Sequence, residues 1–111
     1  MPGRKYEVSL SRFAERMLLQ HIEFLSQVNI AAASRLISSL KKVKSRLSEN
    51  PYQFPFADDL DVPGLPLKTY RKYLFEKRYK AIFLIEENNI YIDVIIDCRQ
   101  ENKDLYKNLT L

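Results

Sequence analysis

The sequence has one cysteine, Cys98, one histidine, His21, and no tryptophan among its 111 residues. A single thiol cannot close an internal disulfide or build a thiolate metal cluster. With one imidazole as well, a zinc site, a Ser-His-Asp triad and a Cys-His pair made of the usual residues are nearly excluded. Neither a metal nor a cofactor is therefore expected. Long apolar runs are also missing: stretches such as Ala81 to Ile85 are far too short to span a bilayer. The opening Met1-Pro2-Gly3-Arg4-Lys5 lacks the apolar core of a signal peptide, so a cytoplasmic protein with no membrane partner is expected. Glycine and proline are sparse, at 2 and 5 residues, which leaves a globular composition.

A chain of 111 residues fits a single domain, 1–111, with room for one two-layer core but little for a deep cavity. Its chemistry should then sit on a surface. Lys and Arg number 18 against 14 Asp and Glu, an excess of four that favours an anionic partner, either nucleic acid or an acidic protein segment. A soluble basic domain with no such partner would show the same balance, so the placement of the charges matters more than their sum.

Periodicity divides the chain. Lys5 to Leu10 alternates as a short strand, with Tyr6, Val8 and Leu10 on one side. Ser11 can cap a helix whose apolar arc holds Phe13, Ala14, Met17, Leu18, Phe24, Leu25 and Val28. His21 falls in the same arc and reads as a buried, hydrogen-bonded side chain. Asn29 breaks the pattern before a second helix, with Leu36, Leu40, Val43 and Leu47 on its apolar face and Arg35, Lys41, Lys42 and Arg46 opposite. A turn this short makes an antiparallel helical hairpin. Asn50-Pro51 ends it, because a residue before proline leaves helical geometry.

From Asn50 to Pro66 the chain carries four of its five prolines, Gly64, and the acidic cluster Asp58, Asp59 and Asp61, and reads as a long irregular surface loop. Thr69 to Phe75, Arg78 to Glu86 and Ile90 to Asp97 are then rich in Tyr, Phe, Ile and Val, the signature of strands. Glu87-Asn88-Asn89 makes a hairpin turn, since Asn tolerates positive φ. The fold class is α+β: a helical hairpin on one face of a four-stranded, mainly antiparallel sheet in the order β-α-α-β-β-β, with the other face free. Strict alternation puts Ile90, Ile92, Val94 and Ile96 on the buried face and Asp93 and Asp97, with Tyr91 and Ile95, on the open one.

Residues along nearly the whole chain resemble the RelE/ParE toxin superfamily, the toxins of type II toxin–antitoxin systems, also described as plasmid stabilisation proteins. They are Tyr6 to Leu10, Phe13-Ala14, Ala31 to Leu36, Leu47 to Pro51, Tyr70-Arg71-Lys72, Arg78 to Ile85 and Ile90 to Arg99. No one of these is as specific as a metal-ligand spacing; their order and register carry the likeness. The resemblance implies one of two modes of action. One branch of the family enters the ribosome and cuts messenger RNA without a metal. The other inhibits DNA gyrase and has no known catalytic residues. In both branches an antitoxin wraps the toxin and silences it.

For the RNA-cutting branch the resemblance places catalysis on Lys80, Arg99 and Tyr106, with Arg71, Arg78 and Lys103 as nucleic-acid contacts. Metal-free cleavage needs a base for the 2′-OH, cations on the strained phosphate and an acid for the leaving oxygen. Arg99 and Lys80 would clamp the phosphate while Tyr106 transfers a proton. Each residue also has a structural alternative. Basic side chains on strands protect edges or pair with acids, Tyr106 can pack as an ordinary aromatic, and Cys98 can be a small apolar residue at a strand end. Asp93 and Asp97 on the open face would repel phosphate. For a gyrase-directed or an inactive family member the same cations are surface charge. An antitoxin is expected either as an amphipathic helix across the hairpin, touching Leu36, Leu40, Lys41 and Val43, or as a strand added to the sheet edge.

Overall fold

A computed structural model describes residues 6–99. The elements run β1 (Glu7–Leu10), α1 (Arg12–Val28), α2 (Ile30–Glu49), a 3-10 turn (Pro51–Gln53), β2 (Tyr70–Phe75), β3 (Tyr79–Glu86) and β4 (Asn89–Asp97). The four strands lie in the order β1-β4-β3-β2. β1 is parallel to β4, and the β2–β3 and β3–β4 pairs are antiparallel. This is the expected class and element order.

Local chemistry sets the helix ends. The Ser11 hydroxyl accepts from the Ala14 N–H at 3.0 Å, which satisfies one of the donors a helix start leaves unpaired. Asn29 serves both helices. Its N–H closes α1 on the Leu25 carbonyl at 2.6 Å, and its Oδ1 accepts from the Ala32 N–H of α2 at 3.2 Å. One extended residue between the helices forces the antiparallel hairpin.

The hairpin covers one sheet face. Ala14, Leu25, Leu36, Val43 and Leu47 pack there against Tyr79, Phe83, Ile90, Ile92 and Ile95. α1 does more than cover. β1 pairs with β4 only over Asn89 to Ile92, so among the described residues no strand lies beside the rest of that β4 edge. α1 fills that gap: Ser11 donates through N to the Ile92 carbonyl at 2.9 Å and through Oγ to the Asp93 carbonyl at 3.0 Å. His21 is buried, and its Nε2–H donates to the Ile95 carbonyl at 2.9 Å, as a histidine on the apolar arc should. Phe24 and Val28, expected on the buried arc, are 52% and 73% exposed. The buried stripe of α1 is narrower than the apolar arc and runs through Ala14, Met17, His21 and Leu25.

Two sequence expectations are corrected. The second sheet face is not free. Ala57, Val62 and Leu65 of the long irregular segment pack on it against Tyr70, Ile82, Val94 and Ile96. The segment has little regular structure, as expected, yet it acts as a second layer. It also pairs with the β2 edge: the Ala57 N–H donates to the Tyr70 carbonyl at 2.8 Å and the Lys72 N–H to the Pro55 carbonyl at 3.0 Å.

The second correction concerns β4. Ile82 pairs with Val94 but Phe83 pairs with Ile92, so Asp93 is the extra residue of β4 at this step. This β-bulge inverts the alternation. Ile90, Ile92 and Ile95 face the helices, while Val94 and Ile96 face the irregular segment. Asp93 and Asp97 therefore do not share an open face, and both are buried. Asp93 accepts the Tyr70 hydroxyl at 2.7 Å, and Tyr70 belongs to the second core.

Candidate functional site

β2 and β3 form the base of the site. Lys72 lies opposite Ile82 and Lys80 opposite Leu74, so the two lysines stand diagonally on the face that carries Tyr70 and Ile82. Asp61, from a turn in the irregular segment, sits between them. Lys80 Nζ lies 2.6 Å from Oδ1, and Lys72 Nζ lies 2.9 Å from Oδ2 and 3.2 Å from Oδ1. The carboxylate is fixed by its own backbone, since the Asp58 N–H donates to Oδ2 at 3.0 Å. Burial pushes the Asp61 carboxyl up, but Lys80, the Asp58 N–H and Lys72 outweigh it and hold it below the ordinary value.

An open groove of about 570 Å³ runs past these three residues. Phe54, Pro55, Tyr73 and Leu74 give it an apolar wall, and Lys77 and Cys98 complete the lining. The Phe54 and Tyr73 rings stack at 4.4 Å between centroids. Lys72, Lys77 and Lys80 against Asp61 leave a net +2 among the charged lining residues (three ammonium groups minus one carboxylate). The groove is basic with an apolar side, while the stacked rings themselves pack toward the helix-side core.

The sequence-derived candidates separate here. Lys80 is in the groove. Arg99 lies just past β4 with an exposed side chain, and its backbone N–H donates to Asp97 Oδ1 at 3.0 Å. Tyr106 and Lys103 lie outside the described residues. Arg78 forms a fork on Asp97, with Nε 3.1 Å from Oδ1 and Nη2 2.7 Å from Oδ2. Burial pushes the Asp97 carboxyl up, and Arg78 together with the Arg99 N–H brings it below its ordinary value. The repulsion expected from Asp97 is therefore neutralised within the protein.

Arg71 donates to the Phe54 carbonyl at 2.6 Å and lies 4.1 Å over the Phe56 ring. That guanidinium pins the start of the irregular segment to β2. Of the proposed antitoxin contacts, Leu36 and Val43 are each 1% exposed beneath the hairpin, so a helix laid across the outside would not touch them. Leu40 is half-buried and Lys41 is exposed, and both remain accessible.

Sequence reasoning did not single out Lys72 or Asp61 as site residues. Lys72 had a signal: two residues after Tyr70 on a strand, it had to share that residue's face. Asp61 had none beyond its acidic neighbours, because no local pattern shows where a long loop returns. Among the described residues no group of three or more His, Cys, Asp or Glu is placed to hold a metal ion. No described helix is long and apolar enough to cross a membrane.

No family model matches the sequence, and a comparison with curated proteins found no match. Solved structures do match in shape. A chain of the chromosomal ParDE TA system from P. aeruginosa superposes with a TM-score of 0.65, covering 86% of this chain and 98% of that one, at 13% identity. At that identity the likeness speaks for the fold. The architecture is the RelE/ParE-like α+β fold, with two helices packed on a four-stranded mixed sheet.

Proposed function

We propose that this protein is the toxin of a type II toxin–antitoxin module, held silent by a cognate antitoxin, and that it arrests growth by cutting messenger RNA on the ribosome without a metal. The groove carries this reading: three lysines around Asp61 in one open groove, next to the point where Arg99 leaves the sheet. Lys80 and Arg99 would hold the phosphate, and Tyr106, in the following tail, would move the proton. Arg71 and Arg78, engaged with Phe54 and Asp97, would support the site from behind.

A second reading, a gyrase-directed toxin that acts by binding alone, is favoured by the ParDE neighbour. It is also favoured by the lining of the groove, which among the described residues offers no acid or base beyond the lysines, Asp61, Tyr73 and Cys98. Induction in bacteria, with translation and plasmid supercoiling followed together, separates the two. Early loss of translation with cut messages supports the RNase. Relaxed plasmid or DNA damage with intact messages supports the gyrase reading, and no growth arrest means an inactive chain. For the RNase, Arg99→Ala and Tyr106→Phe should each abolish cleavage; two variants that cut normally would defeat the assignment.

A further inference from the structure

We propose that Lys72 and Lys80 form a binding site for a phosphate of single-stranded RNA, and that Asp61 of the same chain occupies this site in the free protein as a built-in competitor. The inference rests on the RNase reading above and adds a partner residue and a mode of control to it. The two lysines start from adjacent strands on one face of the sheet, a placement that does not depend on the loop that supplies Asp61. Two like charges on one sheet face favour an anion between them. In the free chain one carboxylate meets that need, within 3.2 Å of both nitrogens and with its side chain only 4% exposed.

The carboxylate does not exhaust the site. The charged groups lining the groove still sum to +2, and Lys77 lies on its rim. A phosphodiester seated on Lys72 and Lys80 could place its neighbouring base against Leu74, which shares their face and is 58% exposed. Ala57 and Val62 anchor the backbone on either side of Asp61, both nearly fully buried, so displacement of Asp61 calls for a side-chain movement and leaves the second core in place. Binding is therefore a competition between two anions for one pair of cations.

The test is the affinity of the full chain for a labelled single-stranded RNA oligomer, measured by fluorescence anisotropy across a salt series. Asp61→Asn is expected to tighten binding about tenfold at low salt and to steepen the salt dependence by about one released counterion. Adding Lys72→Gln and Lys80→Gln to that variant should remove the gain. An unchanged affinity with a lowered melting temperature would overturn the proposal and leave Asp61 as a pin for the loop. An equal gain on double-stranded DNA would overturn the assignment to single-stranded RNA. Should Asp61→Asn fail to fold, Lys72→Gln alone gives the answer: a salt slope unchanged from the native chain overturns the site. Intact messages after induction would defeat the RNase reading while leaving a tenfold gain from Asp61→Asn standing, so the two failures are distinguishable.

Discussion

Glu87 shows how a single residue can sit against its own preference. Glu86 pairs with Asn89 across the β3–β4 hairpin, which leaves a two-residue turn, Glu87-Asn88. The positive φ of that turn, 55°, falls on Glu87 and not on an Asn. A side chain with a Cβ in the left-handed region costs about 1 kcal/mol, and glycine is the residue such a turn prefers at this position. Glu87→Gly is therefore expected to raise stability by about 1 kcal/mol, or several degrees in Tm. A thermal melt with Tm lowered would contradict it. The Asn-rich sequence marked the turn correctly but pointed to the wrong residue, because strand register decides which position takes the positive φ.

At the scale of elements, α1 caps a sheet edge as well as covering a core. The Ser11 hydroxyl accepts from Ala14 N–H and donates to the Asp93 carbonyl, tying the helix start to the bulge in β4. Ser11→Ala removes both contacts and should cost about 1–2 kcal/mol, the upper part of the range for losing a helix cap. Denaturant unfolding measures it directly, and a loss below half a kcal/mol would mean that the tie to β4 contributes nothing. The cap was legible in the sequence; the second bond was not, since it spans 82 residues. The same limit applies to β4 itself. Its hydrophobic letters announce a strand, but a bulge adds one residue to the register without any local mark. That one residue moved Val94 and Ile96 to the other core and buried Asp93.

Across the whole molecule, the irregular segment turns a two-layer fold into a sheet covered on both faces, and buried carboxylates join its parts. Asp61 ties the segment to β2 and β3, and Asp97 ties the end of β4 to Arg78. Both carboxyls are held below their ordinary value in the folded protein. A depressed folded pKa contributes stability that is present above the unfolded value, near 3.9, and is lost as pH falls through the folded one. Melts in an acid series should thus show Tm falling progressively below about pH 4. Asp61→Asn should flatten that fall, and an unchanged acid slope in the variant would show that the lysine pair contributes nothing to it. Asp97→Asn is expected to be the more damaging, at about 2 kcal/mol, because it leaves the largely buried Arg78 without its carboxylate. Urea titration at neutral pH checks the difference.

The sequence by itself determined the elements, their order and the fold class. Each rests on short-range physics: a 3.6-residue apolar period, a cap, a proline, an alternation of two. It also brought forward Lys80, which lines the candidate groove. Only the tertiary structure decided what faces what. The bulge at Asp93, the loop over the second sheet face and the seat of Asp61 between Lys72 and Lys80 are all meetings of residues far apart in the chain. Such meetings depend on register and closure of the whole fold, and local patterns record neither.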